Sequence, residues 1–350
     1  MKLLNSHLRA SGTPGREPRI DVHQHLWPAP FVEALRRRNR PPRLAGWTLQ
    51  LEGEPDYAVR PQDHGVARRV SMAGDDGLDL ALVSLSSPLG IEWLPESEAL
   101  ELLSAYHEGS LALPRPFGVW AATCLSEIDP RALECVLQRG CVGLQLPATA
   151  LLDAAGYERC SPLLDVLERR GLPLLIHPGA APALEGAPSW WAALVPYVQQ
   201  MHQAWFAFRE HGRPRHPRLR VCFAILGGLA PLHGERSAAR GGGRGAVDGD
   251  VFVETSSYGA RAIDATIRVL GVDVVVHGSD RPYTPPPEAG LGDAVTHALL
   301  TANPVRLLHG KEVLDEMGDA ARPHVGQAGA TLPGGQPRRA SGALAPRSRY

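Results

Sequence analysis

Residues 141–177 read CVGLQLPATALLDAAGYERCSPLLDVLERRGLPLLIH. Two short apolar runs, 141–146 and 173–177, flank a segment of helical periodicity over 161–170. The Gly171-Leu172-Pro173 break between that segment and the second run is a helix stop, because glycine ends a helix and proline cannot continue it. The runs are continuous rather than alternating. Such runs suit strands buried on both faces, as in a parallel sheet.

The same theme repeats outward from this unit. Further runs occur at 20–23 (IDVH), 78–84 (LDLALVS), 117–122 (FGVWAA), 219–226 (LRVCFAIL), 251–255 (VFVET) and 273–277 (DVVVH), with helical segments at 97–107 and 129–138. Eight strands alternating with helices predict an α/β fold, a distorted (β/α)8 TIM barrel rather than an open sheet. Two intervals are too long for one crossover: 28–77, charged and proline-rich, and 180–218, tryptophan-rich and helical. They are read as insertions after strands 1 and 5. Both follow a strand, so in a barrel they sit over the C-terminal mouth, where active sites of this fold are built. The expected organisation is a flexible leader (1–17), a metal-dependent barrel (18–310) and a disordered tail (311–350) rich in Gly, Pro, Ala and Arg.

Composition narrows the function classes. The 350 residues carry 36 basic and 37 acidic side chains, a formal net charge of -1. No global basic field points to nucleic acid or a membrane surface. The five cysteines are scattered without a CxxC pair, which argues against a disulfide framework or a cysteine zinc site. No sustained apolar stretch reads as a signal peptide or a membrane span. The expectation is a cytoplasmic protein acting on a small molecule, with the 180–218 insertion serving as a lid, a homodimer surface or both.

The chemistry concentrates at strand ends. Asp21-Val22-His23-Gln24-His25 closes the first run. Alternate residues on a strand share a side, so His23 and His25 can project together toward one cation, for which neutral imidazole is a good ligand. His177 closes the PLLIH run before Pro178-Gly179, which places it like the first pair or makes it a satisfied core histidine. Asp280, in His277-Gly278-Ser279-Asp280-Arg281-Pro282-Tyr283, either ligates a metal, takes a proton, or caps a turn.

The segments IDVHQHLWP (20–28), GCVGLQL (140–146), LPLLIHPG (172–179), LRVCFAILGGLAP (219–231), VFVETSSY (251–258), HGSDRPY (277–283) and NPVRLL (303–308) together resemble the amidohydrolase-related branch of the amidohydrolase superfamily. That branch holds metal-dependent hydrolases and nonoxidative decarboxylases of the aminocarboxymuconate-semialdehyde and γ-resorcylate type. The resemblance spans roughly residues 18–310. It implies a distorted barrel with one divalent metal at its mouth, usually zinc, with manganese the alternative. Carried over position by position, His23, His25, His177 and Asp280 match the metal ligands, and Asn303 takes a structural role.

One departure stands out. The histidine that usually precedes the Gly-Gly after strand six is here Ile225, which neither binds metal nor transfers a proton. His233 and His277 are the nearest substitutes, and His233 is taken as the candidate acid/base beside Asp280. A lysine-bridged two-metal site is excluded, because Lys2 and Lys311 are the chain's two lysines and the strand-four run offers Gln145 instead. For the substrate pocket, Trp27, Trp190, Trp191 and Tyr283 flank the mouth, and Arg281 or Arg236 is placed to receive a carboxylate.

Two reaction types follow from a single cation. In a hydrolase, a metal-activated water attacks a C–N or C–O centre while Asp280 accepts its proton. In a decarboxylase, an acid protonates carbon as CO2 leaves. Ile225 weakens the second route, so hydrolysis is expected first, decarboxylation second, and a catalytically silent metal-binding barrel third.

Overall fold

The computed structural model describes residues 17–310 apart from 53–55, 183, 243–246 and 288–289. The leader, Glu17 excepted, and the whole tail lie outside the described residues. Eight parallel strands carry the fold. In chain order the strands are β1 (Ile20–Gln24), β2 (Arg43–Ala45), β3 (Thr48–Gln50), β4 (Tyr57–Ala58), β5 (Leu80–Val83), β6 (Phe117–Val119), β7 (Leu144–Pro147), β8 (Leu174–His177), β9 (Val221–Phe223), β10 (Val251–Glu254) and β11 (Val275–Val276). β1, β5 and β6 form one parallel sheet and β7 to β11 a second, while β2, β3 and β4 make a small antiparallel sheet.

Hydrogen bonds run between the two parallel sheets along both edges. On one side Val142 N donates to Val119 O (2.9 Å) and Gln145 N to Ala121 O (2.8 Å). On the other, Val22 N donates to His277 O (2.9 Å) and Asp280 N to His23 O (2.8 Å). Ile20, Val22, Leu80, Leu82, Trp120, Val142, Leu175, Cys222, Phe252 and Val276 meet in one buried cluster, so every parallel strand, or the residues beside it, contributes a side chain. Their neighbours Ala81, Val83, Leu144, Leu146, Ile176, Phe223 and Val253 face the other way into a larger core with the helices. Both strand faces are therefore dry, which is why the runs do not alternate.

All eight expected runs contain a strand, with edges set by local chemistry. The helix expected at 161–170 begins earlier, as Ala154–Arg170. Asp153 caps it by accepting Gly156 N (2.8 Å), and Pro162 sits inside it, which hides the true start from a reading along the sequence. Gly171 closes it in the left-handed conformation, as the break predicted. The run at 273–277 yields a two-residue strand because residues 272–274 turn as a 3-10 helix. Asn303 holds that corner, donating to Val272 O (2.8 Å) and Val275 O (2.7 Å). Among the described residues, segment 28–77 holds two α-helices, a 3-10 helix and the antiparallel sheet, and 180–218 is largely helical. Among the described residues no helix is long and apolar enough to cross a membrane.

Candidate metal centre

The end of β1 does not run straight. Its register against β5 shifts between Asp21 and Gln24. Past this irregularity His23 and His25 turn their Nε2 atoms toward each other, 3.1 Å apart. His177, the last residue of β8, brings its ring centroid to 4.8 Å from His23 and 5.1 Å from His25. The three rings stand nearly perpendicular to one another. Asp280 completes the group, with Oδ1 3.7 Å from His23 Nε2 and 3.2 Å from His25 Nε2. The four ligand atoms lie within 4.8 Å of one another. Four donors set tetrahedrally around one zinc-sized ion would stand roughly 3.3 Å apart.

The outward nitrogens show that the inner ones are available. His25 Nδ1 donates to Ser84 O (3.0 Å), His177 Nδ1 lies 2.7 Å from Pro178 O, and His23 Nδ1 lies 3.3 Å from Glu254 Oε1. An acceptor at each Nδ1 holds the hydrogen there and leaves Nε2 as a lone pair, which is how metal-binding histidines are oriented. Two lone pairs facing each other at hydrogen-bond distance repel unless a positive charge stands between them. Without a metal that charge is a proton. Burial pulls the His23 ring down, but the charge and hydrogen bond of Glu254 outweigh it and push the ring up to about 9. Burial lowers His25 against the pull of Asp280, and burial with the neighbouring histidines holds His177 well below its ordinary value. The donor set therefore fits one divalent cation.

A buried network fixes these ligands. Asp21 accepts His23 N (3.0 Å) and Ser279 N (3.1 Å) on Oδ1, and Gln24 Nε2 (2.8 Å) on Oδ2. Arg69, fully buried, donates to His25 O (2.7 Å) and Gln24 Oε1 (2.6 Å). Glu254 accepts Ile225 N (2.6 Å), Ser256 N (2.7 Å) and Ser256 Oγ (2.6 Å) besides His23. Neither Glu254 nor Arg69 stood out in the sequence. The signal for Glu254 was an acidic residue ending an apolar strand, the same placement that marks His177.

Several expected residues are placed elsewhere. His233 is exposed and sets its ring edge-on to His202, with centroids 4.9 Å apart, outside the ligand group. The chain from Ile225 to Leu229 passes through left-handed backbone before reaching it. Trp27 is buried: its indole stacks on His64 (centroids 4.7 Å) and donates to Ser86 Oγ (3.1 Å). Arg281 Nη2 pairs with Asp76 at 2.7 Å, while its buried Nε has no partner among the described residues. Arg236 and Trp190 are exposed, and Trp191 is half-buried. Tyr283 lies beside His25, ring centroids 5.3 Å apart.

Gln145 is also committed, donating to Leu85 O (2.9 Å) and Ser87 Oγ (2.6 Å). Ser87 in turn donates to Glu92, whose Oε2 has no partner among the described residues. Burial pushes the Glu92 carboxyl from its ordinary 4.5 up to about 7. Between these two values the folded chain keeps a proton that the unfolded chain releases. Stability therefore falls as pH rises through that window. Glu92→Gln should remove this slope, gaining on the order of 2 kcal/mol over the parent by pH 8. Urea unfolding at pH 5 and pH 8 measures it, and equal slopes in both proteins would contradict the assignment.

No protein-family model and no curated protein matches the chain. Solved structures do match in fold, and these neighbours are amidohydrolase-superfamily members. IDCase from Metarhizium anisopliae in its apo form superposes with a TM-score of 0.67, at 16% identity over 85% of this chain and 98% of that one. 5-Carboxyvanillate decarboxylase from Sphingomonas paucimobilis gives 0.64, at 18% identity over 84% and 99%. 5-Carboxyvanillate decarboxylase from Novosphingobium aromaticivorans, complexed with manganese and 4-hydroxy-3-methoxy-5-nitrobenzoic acid, gives 0.61, at 16% identity over 85% and 97%. At such identities the likeness carries the fold.

Proposed function

We propose that the chain is a mononuclear metal-dependent carboxy-lyase that removes CO2 without oxidation from a small aromatic or enoic acid. This reverses the order expected from sequence, where hydrolysis stood first. The observation that carries the reading is the convergence of His23, His25, His177 and Asp280 with every outward imidazole nitrogen held by an acceptor. The decarboxylases among the fold neighbours, one bound to manganese, support the choice of reaction and favour manganese, the alternative to zinc.

The four ligands would hold the cation, and the network of Asp21, Gln24, Arg69 and Glu254 keeps their geometry fixed. When bound, a divalent cation supplies a fixed positive centre that anchors the carboxylate or an adjacent hydroxyl oxygen of the substrate. The bond from carbon to carboxylate breaks, its electron pair stays on carbon, CO2 leaves, and one proton is delivered to that carbon. That proton comes from solvent water, and Asp280 would be the carboxylate placed to relay it, since Ile225 carries none and His233 lies outside the ligand group. Hydrolysis is the second reading, and Ile225 favours it, because a water-attack route needs no acid at that position.

We further read the two parallel sheets as one distorted (β/α)8 barrel, with 28–77 and 180–218 as insertions over its mouth. Support comes from the hydrogen bonds along both sheet edges and the cluster shared by all eight strands.

The test is metal analysis of untagged protein, then incubation with a panel of hydroxybenzoic and enoic acids followed by bicarbonate detection. Metal-dependent bicarbonate release is the expected result. Release of amine or alcohol without bicarbonate from amide and ester substrates would move the assignment to hydrolysis. Less than about a tenth of an equivalent of metal, with no gain on reconstitution, would overturn both.

A further inference from the structure

The Ser86 hydroxyl joins three side chains from distant parts of the chain. Its Oγ lies 3.1 Å from Trp27 Nε1, 3.3 Å from His25 Nδ1 and 3.4 Å from the Tyr283 hydroxyl. The direction of each hydrogen bond follows from the chemistry of the partners. An indole N–H only donates. His25 Nδ1 stands 3.0 Å from the Ser84 carbonyl oxygen, which only accepts, so that nitrogen carries its one hydrogen, directs it to Ser84, and cannot accept one from Ser86. Neither of these two nitrogens can therefore accept the Ser86 hydrogen. Ser86 is buried, and the acceptor among its described partners is the Tyr283 oxygen. Ser86 thus donates to Tyr283, and the phenol hydrogen is directed away from Ser86.

Tyr283 is well placed to use that hydrogen. It is 43% exposed, and its ring lies beside the His25 ring. Ser86 is the one hydrogen-bond partner of its hydroxyl among the described residues. The cation nearest in sequence, Arg281, pairs with Asp76 through Nη2.

We propose that Ser86 is a positioning residue that makes Tyr283 a hydrogen-bond donor to an anionic oxygen of the substrate, a carboxylate or a phenolate. This deepens the reading of the centre as one that takes a small acid, and rests on it. The arrangement selects for charge: an oxyanion accepts the phenol hydrogen strongly, whereas a primary amide or ester in its place accepts weakly.

The hydrogen-bond direction is tested without any ligand. Ultraviolet resonance Raman spectra report whether a tyrosine hydroxyl accepts or donates, through its 830/850 doublet. The difference between the parent and Tyr283→Phe isolates Tyr283, and the difference between Ser86→Ala and Ser86→Ala/Tyr283→Phe isolates it without the serine. An accepting signature in the parent that disappears in Ser86→Ala and returns in Ser86→Thr is expected. A donating signature in the parent, or no change in Ser86→Ala, overturns the proposal.

The consequence is read in affinity of the metal-loaded protein for 4-hydroxy-3-methoxy-5-nitrobenzoic acid. Tyr283→Phe and Ser86→Ala should each weaken binding about fivefold, with no further loss in the double variant and recovery in Ser86→Thr. Additive losses overturn the coupling, and absence of binding by the parent at millimolar acid overturns the substrate side. A parent that holds no metal would instead overturn the underlying reading of the centre, while the Raman result would still decide the hydrogen-bond direction.

Discussion

His177→Ala should leave a folded chain that no longer holds a divalent cation. The side chain contributes one of four ligand atoms that lie within 4.8 Å of one another. Loss of a supporting residue behind a ligand lowers metal affinity by about 10–100-fold, so loss of a ligand itself should exceed about 100-fold. The metal-free protein should suffer less. Burial and its neighbours already hold the His177 ring neutral, and removing it relieves the crowding of three imidazoles. The measurable contrast is between the two states. Saturating metal at about 1,000 times its dissociation constant stabilises a protein by about 4 kcal/mol. The parent should show the matching rise in melting temperature, and His177→Ala should show almost none. A variant purified with a full equivalent of tightly bound metal would remove His177 from the centre.

The second large effect is expected at Gly278, which no ligand list would include. A Cβ added there would run into Glu254 Oε2, 2.8 Å from Glu254 Cδ and 3.0 Å from His23 Cβ. The carboxylate cannot yield freely. It accepts Ile225 N, Ser256 N and Ser256 Oγ at 2.6–2.7 Å and holds His23 Nδ1. Gly278→Ala should therefore displace Glu254, release His23 from its orientation, and lower metal affinity by about 10–100-fold. Overpacking should cost a further 1–3 kcal/mol or so of stability in the metal-free chain. Calorimetric metal titration alongside urea unfolding separates the two effects. Glu254→Gln gives the control: it keeps the volume, so it should lose metal affinity with a smaller stability loss. Parental affinity in Gly278→Ala would show that Glu254 does not orient His23.

Much of this centre could be read along the chain, and the rest could not, for a definable reason. The HxH pair at 23 and 25, the histidine at 177 and the aspartate at 280 each end or closely follow an apolar run, so the succession of runs points them to one end of the sheet. The surroundings of Trp27 were not legible, because an aromatic two residues past a histidine looks the same in sequence whether it lines a pocket or packs under it. In the fold the His64 ring lies against it and Ser86 takes its N–H. The placement of His233 was equally illegible. It lies near the expected acid position in number, but left-handed backbone from Ile225 to Leu229 intervenes and its ring ends against His202.

The amino-acid order by itself determined the α/β character, the eight strand positions and the types of side chain at their ends, because burial on two faces leaves a local, repeating imprint. Tertiary structure alone decided that Glu254 reaches His23 across 231 positions, that Arg69 is buried behind His25, and that Arg281 pairs with Asp76. Apolar periodicity sums along neighbouring residues, whereas a hydrogen bond exists only when two remote strand ends come within about 3 Å, a distance that no local pattern encodes.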